Sequence, residues 1–258
     1  MPETNSKNRL DLFLNNGSIT TIRNPIRLKI IKLLQANGSA TFAEIQDMTG
    51  LSKSTVSTYV NSLSDVGIIS RISDDEDHRK KSYVLSAQYV GSLLPSTYSA
   101  ASEFRELIRK TYSNYDRINY KEMLPHIFRI ALAEAGIHID PVIKRGGIIL
   151  GESIVPFIVS DTLEKTIENI SEFWKRYEFG ELSMRTENPL ILDIYNCYEC
   201  KTLPKGLSGG CIITAGILEA VFSAYYTEQM TVSETECQTR GDPCCSFEIR
   251  RPRTQSAE

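Results

Sequence analysis

The sequence predicts a two-domain protein of mixed α+β and α/β class. A helical N-terminal domain closed by two strands is joined through a helical connector to an α/β domain with largely antiparallel strands. Two observations lead to this division. Helical periodicity with glycine-marked stops governs residues 24–67, and mixed helical and extended segments resume only after residue 119. All six cysteines lie between Cys197 and Cys245, with none before them. The expected boundaries are 1–87 for the first domain, 88–119 for connector and dimerisation, 120–250 for the second domain and 251–258 for a polar tail. A chain of 258 residues gives each domain length enough to bury a core.

Composition narrows the class further. The 41% hydrophobic and 24% charged fractions are those of a soluble globular protein. The most apolar stretch, Ile148 to Ser160, is interrupted by Gly151, Glu152 and Pro156, so no membrane span is expected. The polar N-terminus has no apolar signal core, and a cytoplasmic location is expected. In a reducing compartment the cysteines point to metal binding or redox chemistry rather than structural disulfides. Residues 1–90 carry a net charge of +2 and the remainder −5, which permits nucleic-acid binding by the first domain without requiring it.

In the first domain, Ile26, Leu28, Ile30, Ile31, Leu33 and Leu34 give a helix that Pro25 opens and Asn37-Gly38 ends. Thr41 and Glu44 have capping-box spacing before a short second helix with Phe42, Ile45 and Met48 inward. Thr49-Gly50 turns the chain, and Ser52 caps a third helix packed through Val56, Tyr59, Val60 and Leu63. This is a helix-turn-helix arrangement. The outer face of the third helix carries Lys53, Ser54, Thr55, Ser57, Thr58 and Asn61, small polar or basic groups suited to a major groove. Ile68 to Ile72 and Ser82 to Leu85 read as a strand pair with His78, Arg79, Lys80 and Lys81 at its tip. These segments, with Arg23 to Leu28, Leu51 to Ser57 and Gly67 to Ile69, resemble the winged helix-turn-helix domain of ArsR- and MarR-type transcription factors. The resemblance implies binding of double-stranded promoter DNA. No cysteine lies on the third helix, so any sensing falls to the rest of the chain.

The connector shows Phe104, Leu107, Ile108, Tyr112, Tyr115 and Ile118 at helical spacing. Such a helix packs on its own domain or on a second copy; pairing into a homodimer suits a reader of two half-sites.

In the second domain, Glu122 to Ala135 and Pro156 to Tyr177 read as helices, Leu190 to Tyr198 as a strand, and Cys211 to Gln229 as a helix. Strands near 230–237 and 244–250 flank the turn Gly241-Asp242-Pro243. Side-chain alternation in the last strand turns Cys245 inward and Cys244 outward. Phe173 to Gly180, Tyr195 to Cys200 and Glu234 through Phe247 resemble the 4-vinyl reductase domain, a sensing module of several regulators. Carried over by motif position, the resemblance implies a zinc site of Cys211, Glu234, Cys237 and Cys245. Three thiolates and a carboxylate suit tetrahedral zinc. Glu234 and Cys237 have opposite parity on a regular strand, so a bulge is required there. A metal-free thiol cluster and plain buried cysteines are the other two readings.

Cys197 and Cys200, in a Cys-x-x-Cys pair, and Cys244 are then left for redox chemistry or as structural thiols. The two-part architecture resembles the methanogen-specific redox-responsive regulators of archaea, which implies DNA binding controlled by thiol state. The alternative effector is a small apolar or aromatic ligand in a pocket lined by Phe173, Trp174, Tyr195 and Tyr198. No cofactor loop or acid–base pairing points to an enzyme.

Overall fold

The computed structural model of the protein describes residues 9–73, 81–94, 102, 105–106, 108–109, 120–201, 203 and 210–252. The chain divides into two compact units, Met1–Pro95 with Pro252–Glu258, and Ser96–Arg251.

The first unit opens with a hairpin that the sequence reading passed over. Strands β1 (Leu10–Asn15) and β2 (Ser18–Ile22) are joined by Asn16-Gly17, both at positive φ, the pairing that two-residue hairpins favour. Helix α1 (Pro25–Asn37) starts where the Asn24 side chain accepts from the amides of Ile26 and Arg27. Strand β3 (Ser39–Thr41) leads into α2 (Phe42–Thr49), whose N-terminus carries the complete Thr41/Glu44 capping box. Helix α3 (Lys53–Asp65) is capped by Ser52. Strands β4 (Ile69–Ser73) and β5 (Lys81–Leu85) pair antiparallel, with β3 added on the far edge of β5. Ile30, Ile31, Leu34, Ile45, Val56, Val60, Leu63 and Ile68 form the core beneath. At Gly67 (φ +71) the chain leaves α3, and its carbonyl accepts from the Asn15 side chain at 2.7 Å, tying the hairpin to the three helices.

One expected boundary is corrected. Residues 88–93, read as the start of a helical connector, form strand β6 (Gln88–Leu93), antiparallel to β1. Tyr89 packs its ring 5.3 Å from Phe13, and Gly91 takes φ +151 where the register of the two strands shifts. Within the rest of the connector, 105–106 and 108–109 are helical; its remaining apolar positions lie outside the described residues, Ile108 excepted.

The second unit contains α4 (Tyr120–Glu134), the short β7 (Ile137–His138), α5 (Asp140–Ile158) and α6 (Leu163–Arg176). The single helix expected over 156–177 is therefore two. Val159 leaves helical geometry, and Thr162 caps a new helix by accepting from the Lys165 amide at 3.2 Å. Strands β8 (Glu181–Thr186) and β9 (Leu190–Tyr195), the four-residue α7 (Tyr198–Lys201), α8 (Ile212–Tyr226), β10 (Thr231–Glu236) and β11 (Cys245–Arg250) follow. The sheet is antiparallel in the order β10-β11-β9-β8.

Helix α8 is apolar on nearly all sides because it is buried between the sheet and α5. Glycines make the crossing close: a Cβ on Gly151 would stand 2.7 Å from the Ala220 Cβ, and one on Gly147 or Gly216 would strike backbone of the facing helix. Trp174, Phe222, Phe247 and Leu218 fill the core around it.

Candidate thiol centre and DNA-facing helix

The thiol centre is assembled from four places in the chain. Cys197 and Cys200 come from the start of α7, Cys211 from the residue before α8, Cys237 from the end of β10 and Cys245 from the start of β11. All are buried and none is in a disulfide. The Cys200 Sγ lies 3.1 Å from that of Cys211 and 3.4 Å from those of Cys237 and Cys245; Cys211 lies 3.5 Å from both Cys197 and Cys245.

The required bulge is present. The register of β10 against β11 slips between Glu234 and Glu236, so Thr235 is the extra residue. Glu234 and Cys237 consequently face the same thiols, while Glu236 turns to the opposite face and pairs with Arg185 at 2.8 Å. Cys237 is then held by its own turn. Its amide donates to the Asp242 carboxylate at 2.7 Å, its carbonyl accepts from Arg240 at 2.8 Å, and Gly241 at φ +98 closes the loop. The Gln238 side chain accepts from the Cys197 amide at 3.2 Å, linking this turn to α7. Gly210 passes so close that a Cβ there would lie 3.2 Å from the Cys200 Sγ.

Two overlapping sets of four donors emerge. Cys197, Cys200, Cys211 and Cys245 lie within 4.8 Å of one another, and so do Cys211, Glu234, Cys237 and Cys245. Tetrahedral zinc–thiolate bonding sets sulfur atoms about 3.8 Å apart, so the thiols now in contact need part by about 0.3–0.7 Å to accept the ion. Glu234 Oε1 is buried without a hydrogen-bond partner, a state a bound cation would relieve. Burial pushes the Glu234 carboxyl up to about 8, whereas hydrogen bonding with Cys200 and then Cys211 pulls the Cys237 thiol down to about 5. Cys245 is lowered and Cys200 and Cys211 raised, in each case chiefly through hydrogen bonding with Cys197. The donor set thus fits a soft or borderline cation.

This geometry alters the expected division of labour. Cys197 and Cys200, set apart by the sequence reading for redox chemistry, stand among the proposed zinc ligands. Cys244 is indeed on the other face of β11, yet it is buried rather than outward, at 1% exposure. Arg185 covers it: the guanidinium lies 3.5 Å from the Cys244 Sγ and also binds Asp193, Glu236 and Ser246. Strand parity names a face and cannot foresee a cover supplied by another strand.

Sequence reasoning also missed Glu199, between the two cysteines of Cys-x-x-Cys. Its buried carboxylate accepts from the amides of Ile213 and Thr214 at 3.0 and 2.8 Å, and burial raises it to about 7. It caps α8, whose own N-cap residue Cys211 offers no side-chain cap.

Of the residues expected to line an effector pocket, only Phe173 borders a groove of about 650 Å³ between α5 and α6, with Ile154, Phe157, Ile158 and Tyr177. Trp174 is fully buried and meets Phe179 edge-on, and Phe179 stacks on Tyr198 at 4.6 Å. Tyr195 is half exposed on the sheet near Cys244.

On α3, Lys53, Ser54, Thr58 and Asn61 are exposed and Thr55 and Ser57 half-buried, so the expected face is presented to solvent. Ser52 Oγ lies within 3.0 Å of both the Ser54 and Thr55 hydroxyls. Arg79 and Lys80 lie outside the described residues; Lys81 begins β5.

Fold and site together define a helix-turn-helix reader joined to a cysteine-centred α/β domain. Residues 23–70 match the family model of winged helix-turn-helix DNA-binding domains, and residues 190–251 match that of the 4-vinyl reductase domain. The chain therefore carries a winged helix-turn-helix domain followed by a 4-vinyl reductase domain. Among curated relatives, it is 33% identical over 86 residues to the uncharacterized protein MJ1642 of Methanocaldococcus jannaschii, covering 33% of this chain and 53% of that one. It is 26% identical over 125 residues to MJ0150 of the same organism, covering 47% and 70%. The chain thus spans about half the length of the first of these relatives. Among solved structures it is similar to the phenol-responsive sensory domain of the transcription activator PoxR, at 12% identity and a TM-score of 0.43, covering 60% of this chain and 90% of that one. A vinyl-4-reductase family protein from Methanocaldococcus jannaschii aligns at 16% identity and a TM-score of 0.38, covering 61% and 98%. Among the described residues no helix is long and apolar enough to cross a membrane.

Proposed function

We propose that the protein is a transcription regulator, not an enzyme, in which the thiol state of the C-terminal domain controls binding of the N-terminal domain to promoter DNA. The observation that carries this reading is the contact of five thiols at 3.1–3.5 Å in one buried centre. Thiols so placed need little movement either to bind an ion or to join as disulfides. Zinc is the proposed ion, with Cys211, Cys237 and Cys245 as ligands and Glu234 or another donor completing the shell. When bound, it supplies a structural cross-link among β10, β11 and α8. Lys53, Ser54, Thr55, Ser57, Thr58 and Asn61 contact DNA in this reading, with Arg79, Lys80 and Lys81 on the wing. A homodimer reading two half-sites completes it.

A mobility-shift assay on promoter DNA with the protein reduced, oxidised and reduced again tests the proposal. Reversible change in affinity that disappears when the responsible cysteines are replaced by serine is the expected result. A second reading, a small apolar effector, is favoured by the groove bordered by Phe157, Phe173 and Tyr177. Affinity that ignores oxidant yet responds to an aromatic ligand would decide for it.

A further inference from the structure

We infer that Cys200 is the fourth ligand of the metal centre, completing Cys211, Cys237 and Cys245, and that Glu234 is a reserve ligand for the same position. The inference rests on the reading above that this centre holds zinc, and concerns which side chains hold it. Cys200 touches each of the other three sulfurs, at 3.1, 3.4 and 3.4 Å. Cys211 and Cys245 close a further edge at 3.5 Å, and Cys237 lies within 4.8 Å of both. The four short edges among these sulfurs, 3.1–3.5 Å, would open by about 0.3–0.7 Å around one ion, and four thiolates are a preferred shell for structural zinc.

Glu234 views the same three sulfurs from β10, within 4.8 Å of Cys211, Cys237 and Cys245, with Oε1 buried and unpartnered. An ion held by four thiolates has no place for it. The two competing donors sit on unlike supports: Glu234 on the sheet, Cys200 on a four-residue helix beside Cys197. With Cys200 withdrawn, Glu234 would be the donor left within 4.8 Å of the other three sulfurs, and would complete a four-ligand shell from the sheet.

Oxidation supplies such a withdrawal. With hydrogen peroxide as the two-electron oxidant, the Cys197 thiol and the Cys200 thiolate join as a disulfide. The two sulfurs give up two electrons, the O–O bond breaks, and the oxygens leave as one water and one hydroxide, the Cys197 proton ending on the water. Cys211, Cys237 and Cys245 would still be free to hold a bound ion, with Glu234 as the fourth donor. Oxidation of the cluster would then leave the cross-link in place.

The test uses the full chain reconstituted anaerobically with cobalt(II), whose thiolate-to-metal absorption grows with the number of bound thiolates. Wild type and Glu234→Gln are expected to bind one ion with equal absorption. Cys200→Ser is expected to bind one ion with absorption lower by about a quarter, as four thiolates become three. The double variant is expected to bind more weakly by over about tenfold. In the zinc-loaded protein, peroxide should release the ion from Glu234→Gln and not from wild type. Equal absorption of Cys200→Ser and wild type would overturn the assignment, as would two ions per chain or more than about tenfold weaker binding by reduced Glu234→Gln. That last measurement decides alone if Cys200→Ser does not fold. None of these readouts involves DNA, so a promoter insensitive to oxidant would sink the regulatory reading while these ratios stand or fall separately.

Discussion

The carboxylate of Glu199 accepts the backbone N–H of Thr214 at 2.8 Å, across 15 residues of chain. Glu199 precedes Cys200 and Thr214 follows Cys211 by three residues, so one hydrogen bond fastens two cysteine-bearing segments together. Once ionised, above about pH 7, it also places a negative group at the N-terminus of α8. Glu199→Ala leaves the buried Thr214 amide and the part-buried Ile213 amide unpaired and is expected to destabilise the second domain by about 1–3 kcal/mol, with Glu199→Gln costing less. Urea unfolding followed by far-ultraviolet circular dichroism measures both.

Much of this arrangement was legible beforehand, because local chemistry specifies it. Pro25 in the first turn and the caps Thr41 and Ser52 announce their helices, and the parity conflict between Glu234 and Cys237 demanded the bulge that exists at Thr235. The unread parts depend on partners distant in sequence. Glu199 caps a helix through residues 14 and 15 positions away, and Arg185 buries Cys244 across 59. Cys200 joins Cys237 and Cys245 only once β10, β11 and α7 are assembled. The hairpin of β1 and β2 is a different case: Asn16-Gly17 carried its signal and was overlooked beside the stronger helical pattern that follows.

Adjacent glycines in α5 are expected to respond oppositely to alanine. A Cβ on Gly146 meets nothing within 4 Å, so Gly146→Ala removes only unfolded-state freedom and should stabilise by about 0.5–1 kcal/mol. A Cβ on Gly147 would strike the Ile213 carbonyl, and forcing α5 away from α8 should cost about 1–3 kcal/mol. Denaturant midpoints of the two variants are expected to move in opposite directions.

Cys244 lies beneath Arg185, which in turn is fixed by Asp193 and Glu236 at 2.8 Å each. A thiol at 1% exposure reacts slowly with a bulky disulfide reagent, because the reagent must reach the sulfur. Arg185→Ala uncovers that face of the sheet without touching the thiol centre. The rate of Cys244 modification by an aromatic disulfide should rise severalfold, followed by mass spectrometry of the labelled peptide, while metal content stays unchanged.

His126, at 4% exposure on α4, carries a pKa lowered to about 4, first by burial and then by Arg129, against a hydrogen bond to the Glu199 backbone that favours the charged ring. The unfolded chain binds a proton near pH 6.5 that the folded chain refuses until about pH 4. Stability from the neutral ring is therefore complete above pH 6.5 and is lost as pH falls, by about 3 kcal/mol on reaching pH 4. Thermal melts of wild type and His126→Gln across this range should diverge in slope, the variant being flatter.

Lys53 is exposed at the first position of α3, beside the Ser52 cap and next to Ser54. At a helix N-terminus its ammonium adds to the amides already directed outward, and a phosphate bound there releases a counterion. Lys53→Ala should weaken binding to every duplex sequence by a similar factor and flatten the dependence of log K on log salt by about 0.9. Asn61→Ala, which removes an amide suited to a base edge, should instead lower the preference for the operator over unrelated duplex, with the salt slope retained. Fluorescence anisotropy across about 50–200 mM salt on both kinds of duplex separates the two roles. Identical loss of slope in both variants would place Asn61 on the phosphates, and no change in either would remove α3 from the groove.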